Sequence, residues 1–242
     1  MKKKHFKISI VTILAALAIT ALIYTGVIWP NSIFASKYPV HGIDISHHQN
    51  EIDWDKVKDE NIKFVFIKAT EGKDFKDRLF EENWVKTKEA GLIRGAYHFF
   101  TFGSAGSDQA TNFIRSVPIE DKVLPPVIDL EFDGNSKSVP SPEVVKKELR
   151  NFIHSIEEHY KQEPILYLTY DSYSQFIKGD FLEYPIWIRD IVKQPSFKNG
   201  REWLFWQYSN RGKIDGIEGY VDVNVFHSDL TELEKLLSPN KD

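Results

Sequence analysis

Past residue 40 the chain alternates short apolar runs with stretches whose apolar residues recur every three or four positions. Runs at 41–46, 63–69, 92–99, 124–131, 164–169, 184–188, 203–208 and 221–226 are rich in β-branched and aromatic residues. Most lack the strict alternation of a half-exposed sheet, as expected of parallel strands covered on both faces. Helical patterns lie between the early runs. The stretch 52–60 sets Trp54 and Val57 on one side; 78–90 groups Leu79, Trp84 and Val85 before Gly91; 105–116 is a third. The longest, 141–160, has Ser141 as N-cap, Pro142 in the first turn and a stripe of Val144, Val145, Leu149, Phe152, Ile153 and Ile156. Shorter helices are expected at 171–177 and 229–237. The connections 189–202 and 209–220 contain Gly or Pro and read as loops. Eight strands with helices between the first six predict an α/β fold, an irregular (β/α)-barrel with eight strands and fewer than eight helices. No internal repeat appears, and no linker beyond 30–39.

The N-terminus follows another pattern. Lys2, Lys3, Lys4 and Lys7 precede an apolar run over 8–29. Its 22 residues, at about 1.5 Å each, give about 33 Å of helix, enough for a bilayer core. The basic cluster belongs on the cytoplasmic side, placing the rest outside. The run exceeds the roughly 7–15 apolar residues of a cleaved signal peptide. Its best cut site, after Ala35, has bulky Ile33 where a small residue is preferred. Residues 1–35 are therefore expected to form a basic stub plus signal anchor, and 36–242 a catalytic domain on the outer face. Cleavage near Ala35 is the alternative, which makes the domain secreted.

Composition narrows the chemistry. The chain has no Cys, which removes disulfides, thiolate metal sites and a cysteine nucleophile. The formal charge of −4 hides an asymmetry: with the four N-terminal Lys set aside, the remainder has 27 basic and 35 acidic residues, a net of −8. An acidic domain is a poor partner for nucleic acid, which needs a basic footprint. Aromatic residues make up 14% of the chain, enough for a core and for sugar-stacking surfaces as well.

Several acids fall at expected strand ends, where parallel barrels carry their function. In Gly42-Ile43-Asp44-Ile45-Ser46 the aliphatic residues alternate with Asp44 and Ser46. In Pro126-Val127-Ile128-Asp129-Leu130-Glu131 the two acids share one face, with Leu130 opposite. Val221-Asp222-Val223-Asn224 repeats the pattern, and Glu71 ends the second strand. One such acid alone reads as a cap or an ion-pair partner. Several buried together are costly unless the site uses them. Clustering raises one carboxyl pKa above its neighbours, as a general acid for glycoside hydrolysis requires. His47 and His48 beside Asp44, with His98, admit a metal reading. It is disfavoured because adjacent histidines point apart on an extended chain and no spaced ligand motif follows. No metal is expected.

These segments, in order from His41 to Phe226, resemble glycoside hydrolase family 25, the Chalaropsis-type lysozymes. The matching stretches are Gly42–Ser46 with Gln49, Ile52-Asp53-Trp54, Phe64–Gly72, Gly91-Leu92 with Gly95–Phe99, Ile128–Glu131, Trp206-Gln207-Tyr208 and Asp222–Phe226. The resemblance implies a flattened barrel that cleaves the β-1,4 bond between N-acetylmuramic acid and N-acetylglucosamine without a cofactor. It implies Glu131 as general acid and Asp129 as its assisting carboxylate, with Asp44 and Asp222 lining the groove. Tyr97, Tyr167, Trp206 and Gln207 fall at positions around the sugar cleft. The expected partner is bacterial peptidoglycan, met by a monomer. The sequence departs from the family at Trp187-Ile188-Arg189-Asp190, where a small residue and an aromatic are more usual, and Leu168 stands where Thr is more typical. Two alternatives remain: a non-catalytic wall-glycan binding protein on the same barrel, and a glycosidase for chitin-like polymers, whose longer Asp-x-Asp-x-Glu spacing is absent.

Overall fold

A computed structural model describes residues 2–24, 30–136 and 138–238. The strands are β1 (His41–Ile45), β2 (Phe64–Glu71), β3 (Phe75–Lys76), β4 (Ile93–Phe99), β5 (Val127–Leu130), β6 (Ile165–Leu168), β7 (Ile186–Arg189), β8 (Phe205–Gly212) and β9 (Val221–Phe226). Hydrogen bonding runs β1-β9-β8-β7-β6-β5-β4-β2, and β1 pairs with β2 to close an eight-stranded barrel. The two-residue β3, unforeseen in the sequence, adds to the outer end of β2.

Around and before the barrel lie α1 (Lys2–Tyr24), α2 (Pro30–Ala35), α3 (Trp54–Val57), α4 (Phe80–Glu89), α5 (Gly106–Ser116), α6 (Pro142–Tyr160), α7 (Tyr170–Ser172) and α8 (Leu230–Glu234). A π-helical turn, Tyr173–Ile177, continues α7. Among the described residues six α-helices follow β1, and α3, α7 and α8 are only about a turn long. The barrel therefore has fewer helices than strands.

The period-two alternation of the strands builds two apolar layers. Phe64, Phe66, Val127, Ile165, Trp187, Phe205 and Phe226 fill the inside. Ile43, Val65, Ile67, Ile128, Leu130, Leu166, Ile188, Val223 and Val225 face the helices. Space inside is tight: a Cβ on Gly42 would lie 2.4 Å from the Phe64 ring, so only glycine fits opposite that ring. Of the stripe expected on α6, Val145, Leu149, Phe152, Ile153 and Ile156 are buried while Val144 stays exposed. Val85 of α4 is likewise exposed, outside the face that buries Trp84. Ser141 holds the N-cap position of α6 without a side-chain cap bond.

Three features depart from the sequence reading. First, β9 runs antiparallel to both neighbours, β1 and β8. Alternation carries no direction, so the apolar pattern is the same either way. The loop after β8 returns the chain through Gly216 and Gly219, both at positive φ, which glycine adopts without strain. Second, the expected linker contains α2, packed on the barrel. Asn31 is buried and its Nδ2 donates to the carbonyls of Asp190 (2.9 Å) and Tyr208 (3.1 Å); Ala35 is fully buried. Third, His47 and His48 sit in a 3₁₀ turn, not an extended chain, with ring centroids 4.2 Å apart.

Of the apolar run expected over 8–29, residues 8–24 belong to α1 and 25–29 lie outside the described residues. Val11, Ile13, Leu14, Leu17, Ile19 and Leu22 are exposed. Among the described residues no helix is long and apolar enough to cross a membrane.

Candidate active site

The barrel rim where the parallel strands end collects residues from seven strands. β1 brings Asp44, β4 Tyr97, β5 Asp129, β6 Tyr167, β7 Trp187 and Arg189, β8 Gln207 and β9 Asp222, and Glu131 directly follows β5. Asp222 comes from the start of its strand. Because β9 is antiparallel, its first residues lie beside the last residues of β1, and Asp44 and Asp222 are direct cross-strand partners. The reversed strand thus delivers Asp222 to the rim where a parallel one would have withdrawn it. Together these side chains line a cavity of about 380 Å³. It adjoins a second of about 350 Å³ that shares Asp44, Tyr97, Asp129, Glu131 and Asp222 and extends to His48, Lys68 and Glu71.

Beneath the acids a hydrogen-bond network fixes Asp44. Its Oδ2 accepts from Asn224 Nδ2 at 2.7 Å and Gln207 Nε2 at 3.0 Å. The amide orientations follow from their other partners. Tyr167 Oη donates to Gln207 Oε1 at 2.9 Å, and Trp187 Nε1, which can only donate, is 2.9 Å from Asn224 Oδ1. Each amide must therefore turn its nitrogen to Asp44. Even so, burial pushes the Asp44 carboxyl up to about 6, with those two hydrogen bonds and the Arg189 charge opposing the rise.

The other acids have fewer stabilising partners. Asp129 is buried with no hydrogen bond to its Oδ1, and burial followed by repulsion from Glu131 holds its carboxyl well above the usual range. Burial raises Glu131 to about 7 against the opposing charge of Arg189. Burial and then Asp44 raise Asp222 to about 8. Tyr97 and Tyr167 are pushed upward by burial and by the carboxylates, so both phenols stay neutral. Acids at similar potentials titrate as a set, and their protons belong to the cluster as much as to one residue. The arrangement can hold a proton on one carboxyl near neutral pH beside another that ionises.

Asp44, Asp129, Glu131, Asp222, Tyr97, Tyr167 and Gln207, all expected at the site, are brought together. Trp206 is not. It is fully buried on the outer face of β8, stacked edge-on against Trp203 at 5.9 Å and Tyr38 at 6.3 Å, with Nε1 donating to the Asp190 carbonyl. Neighbouring strand residues point to opposite faces, so Gln207 inside requires Trp206 outside. Trp187 provides the inward indole instead. Asn224, Arg189, Asp133, Gln49 and Tyr220 also belong to the site and were not singled out as site residues. The signal for Asn224 and Arg189 was their phase, two residues from Asp222 and Trp187. Two of the three histidines are used elsewhere: His47 Nδ1 pairs with Asp77 at 2.7 Å. His98 faces the helices, bonded to Thr70 and Gln109, and burial lowers it to about 3.

Comparison with known proteins agrees with this architecture. The family model described as glycosyl hydrolases family 25 matches residues 43–217. A family 25 glycosyl hydrolase structure from Bacillus anthracis is 43% identical with a TM-score of 0.77, covering 82% of this chain and 94% of its own. Lysozyme M1 of Streptomyces globisporus is 33% identical over 207 residues, 80% of this chain and 70% of that protein. The crystal structure of a bacterial lysozyme from Streptomyces coelicolor is 30% identical with a TM-score of 0.74, covering 81% and 96%. The chain belongs to glycosyl hydrolase family 25.

Proposed function

We propose that the enzyme is a muramidase, cleaving the β-1,4 bond between N-acetylmuramic acid and N-acetylglucosamine in peptidoglycan. The observation that carries the reading is the acid cluster on the barrel rim, in which Glu131 lies near pH 7 beside the more deeply buried Asp129. Glu131 is the general acid. It gives its proton to the glycosidic oxygen as the bond from the anomeric carbon breaks, and water completes the hydrolysis at that carbon. Asp129, with an oxygen free of partners, is the assisting carboxylate for the positive charge that builds on the sugar ring or for the 2-acetamido group. Asp44 and Asp222 form the opposite wall, and the hydrogen bonds to Asp44 keep that wall rigid. The names lysozyme and N,O-diacetylmuramidase among the relatives support the substrate class.

The domain acts outside the cytoplasm, tethered through the whole apolar run over 8–29, of which 25–29 lie outside the described residues, with its basic end inside. The four lysines in the first two turns of α1 and the exposed apolar side chains after them support this. The docking of α2 favours retention, because cleavage after Ala35 removes the Asn31 hydrogen bonds to the barrel.

Digestion of peptidoglycan by the full chain is expected to release fragments with reducing muramic acid. Reducing N-acetylglucosamine would overturn the bond assignment, and absence of any soluble product would favour a glycan-binding protein. In fractionated cells the full-length chain is expected in the membrane; a soluble form shortened by about 35 residues would replace the anchor with a cleaved signal.

A further inference from the structure

One charged residue in the cleft is left unused by the acid chemistry. Arg189 ends β7 two positions after Trp187, shares its inward phase, and lines the same cavity as Asp44, Asp129, Glu131, Asp133 and Asp222. It is half-buried. Among the described residues its guanidinium makes no hydrogen bond and has no carboxylate oxygen within the 4.0 Å of an ion pair. Its sequence neighbour is not a partner: Asp190 Oδ1 accepts instead from the backbone N–H groups of Val192 and Lys193, at 3.1 and 3.0 Å. Lys68, the cation on the adjoining cavity, is already paired with Glu71 at 2.8 Å. Arg189 is thus a positive charge on a cavity whose other charged lining residues are all acids.

Keeping a cation partly out of water without a partner costs free energy, and a planar guanidinium fork is matched to a carboxylate. The glycan supplies one. An N-acetylglucosamine unit carries no anion, whereas muramic acid carries a lactyl carboxyl, either free or amide-linked to a stem peptide that has carboxylates of its own. A cleft lined by acids repels such a group unless a cation receives it. Resting on the muramidase reading above, we propose that Arg189 is a specificity-determining residue that binds a carboxylate on the lactyl-peptide arm of the substrate. Arg189 also lies close enough to oppose the upward shifts of Asp44, Glu131 and Asp222, so the test must separate recognition from tuning of the acids.

The full chain, Arg189→Gln and Arg189→Lys are assayed on two glycans: strands with intact stem peptides, and strands stripped of them by an amidase, whose lactyl carboxyls are free. Each is used before and after carbodiimide amidation of its carboxylates. Amidation is expected to lower wild-type kcat/KM at least about 10-fold, mostly through KM. Arg189→Gln should lose as much on untreated glycan and be indifferent to amidation, with Arg189→Lys between. Loss confined to stripped strands identifies the lactyl carboxylate; loss confined to intact strands identifies the stem peptide. Wild type indifferent to amidation on both glycans overturns the proposal, and this comparison needs no variant to fold. Equal loss by Arg189→Gln on treated and untreated glycan also overturns it, since Arg189 would then act through the acids alone. Failure of wild type to cleave any strand rejects the muramidase reading itself, and the inference with it.

Discussion

Glu131→Gln is expected to lower kcat on peptidoglycan by about 10²- to 10⁴-fold, the range that a positioned proton donor contributes. The substitution keeps the shape of the side chain and removes the proton. The surrounding loop should hold, because its anchor is a backbone contact: Asn135 Nδ2 donates to the Glu131 carbonyl at 3.1 Å and to that of Phe100 at 2.8 Å. With Glu131 near 7, the wild type carries its proton below neutrality and loses it above, so activity should fall as pH rises through about 7. That basic limb should vanish in the variant. A substrate whose leaving group needs no protonation, such as an aryl glycoside of an acidic phenol, should show a much smaller loss. An equal loss on both substrates would mean that Glu131 does something other than donate a proton. Retention of activity within about 10-fold on peptidoglycan would move the acid to Asp129 or Asp222.

The site could be anticipated as far as it did because the inside of a barrel is written in alternation. Asp44, Asp129, Glu131 and Asp222 each stand out of phase with the aliphatic residues beside them, and the structure puts all four on one rim. Alternation is blind to strand direction, which is why the reversal of β9 was not legible. The acid ladder reads the same in both senses, and only pairing with β1 and β8 decides it. Trp206 was misplaced although the same rule applied: it was named with its neighbour Gln207, and two adjacent strand residues do not share a face. The network under Asp44 joins β1, β6, β7, β8 and β9, so its logic exists only once the barrel closes. α2 was hidden between two prolines, and what holds it is the amide of Asn31 reaching two carbonyls more than 150 residues away.

The same acids that serve chemistry should weaken the fold at high pH, and Asp129→Asn should reveal it. Asp129 is buried, lacks a partner on Oδ1, and is held well above the usual carboxylate range by burial and then by Glu131. Below about pH 4 it is protonated in both the folded and the unfolded chain, and its environment is then best tolerated. As pH rises, the unfolded chain releases that proton first while the fold retains it. The unfolded state then binds fewer protons, so stability declines from about pH 4 upward until the folded group itself ionises. Asp44 at about 6, Glu131 at about 7 and Asp222 at about 8 act with the same sign. Asparagine has no proton to lose and carries no charge. Asp129→Asn is therefore expected to melt within about 2 °C of wild type at pH 4. At pH 8 it should melt higher by several degrees, since 1 kcal/mol is about 2–4 °C for a domain of this size. Its activity should fall at the same time, because asparagine cannot supply the negative charge that a cationic transition state draws on. Thermal unfolding of both proteins at the two pH values decides the matter. A variant equally destabilised at both would mean that the Asp129 carboxylate is held by favourable contacts, and the burial of unpaired charge would lose its place in the argument.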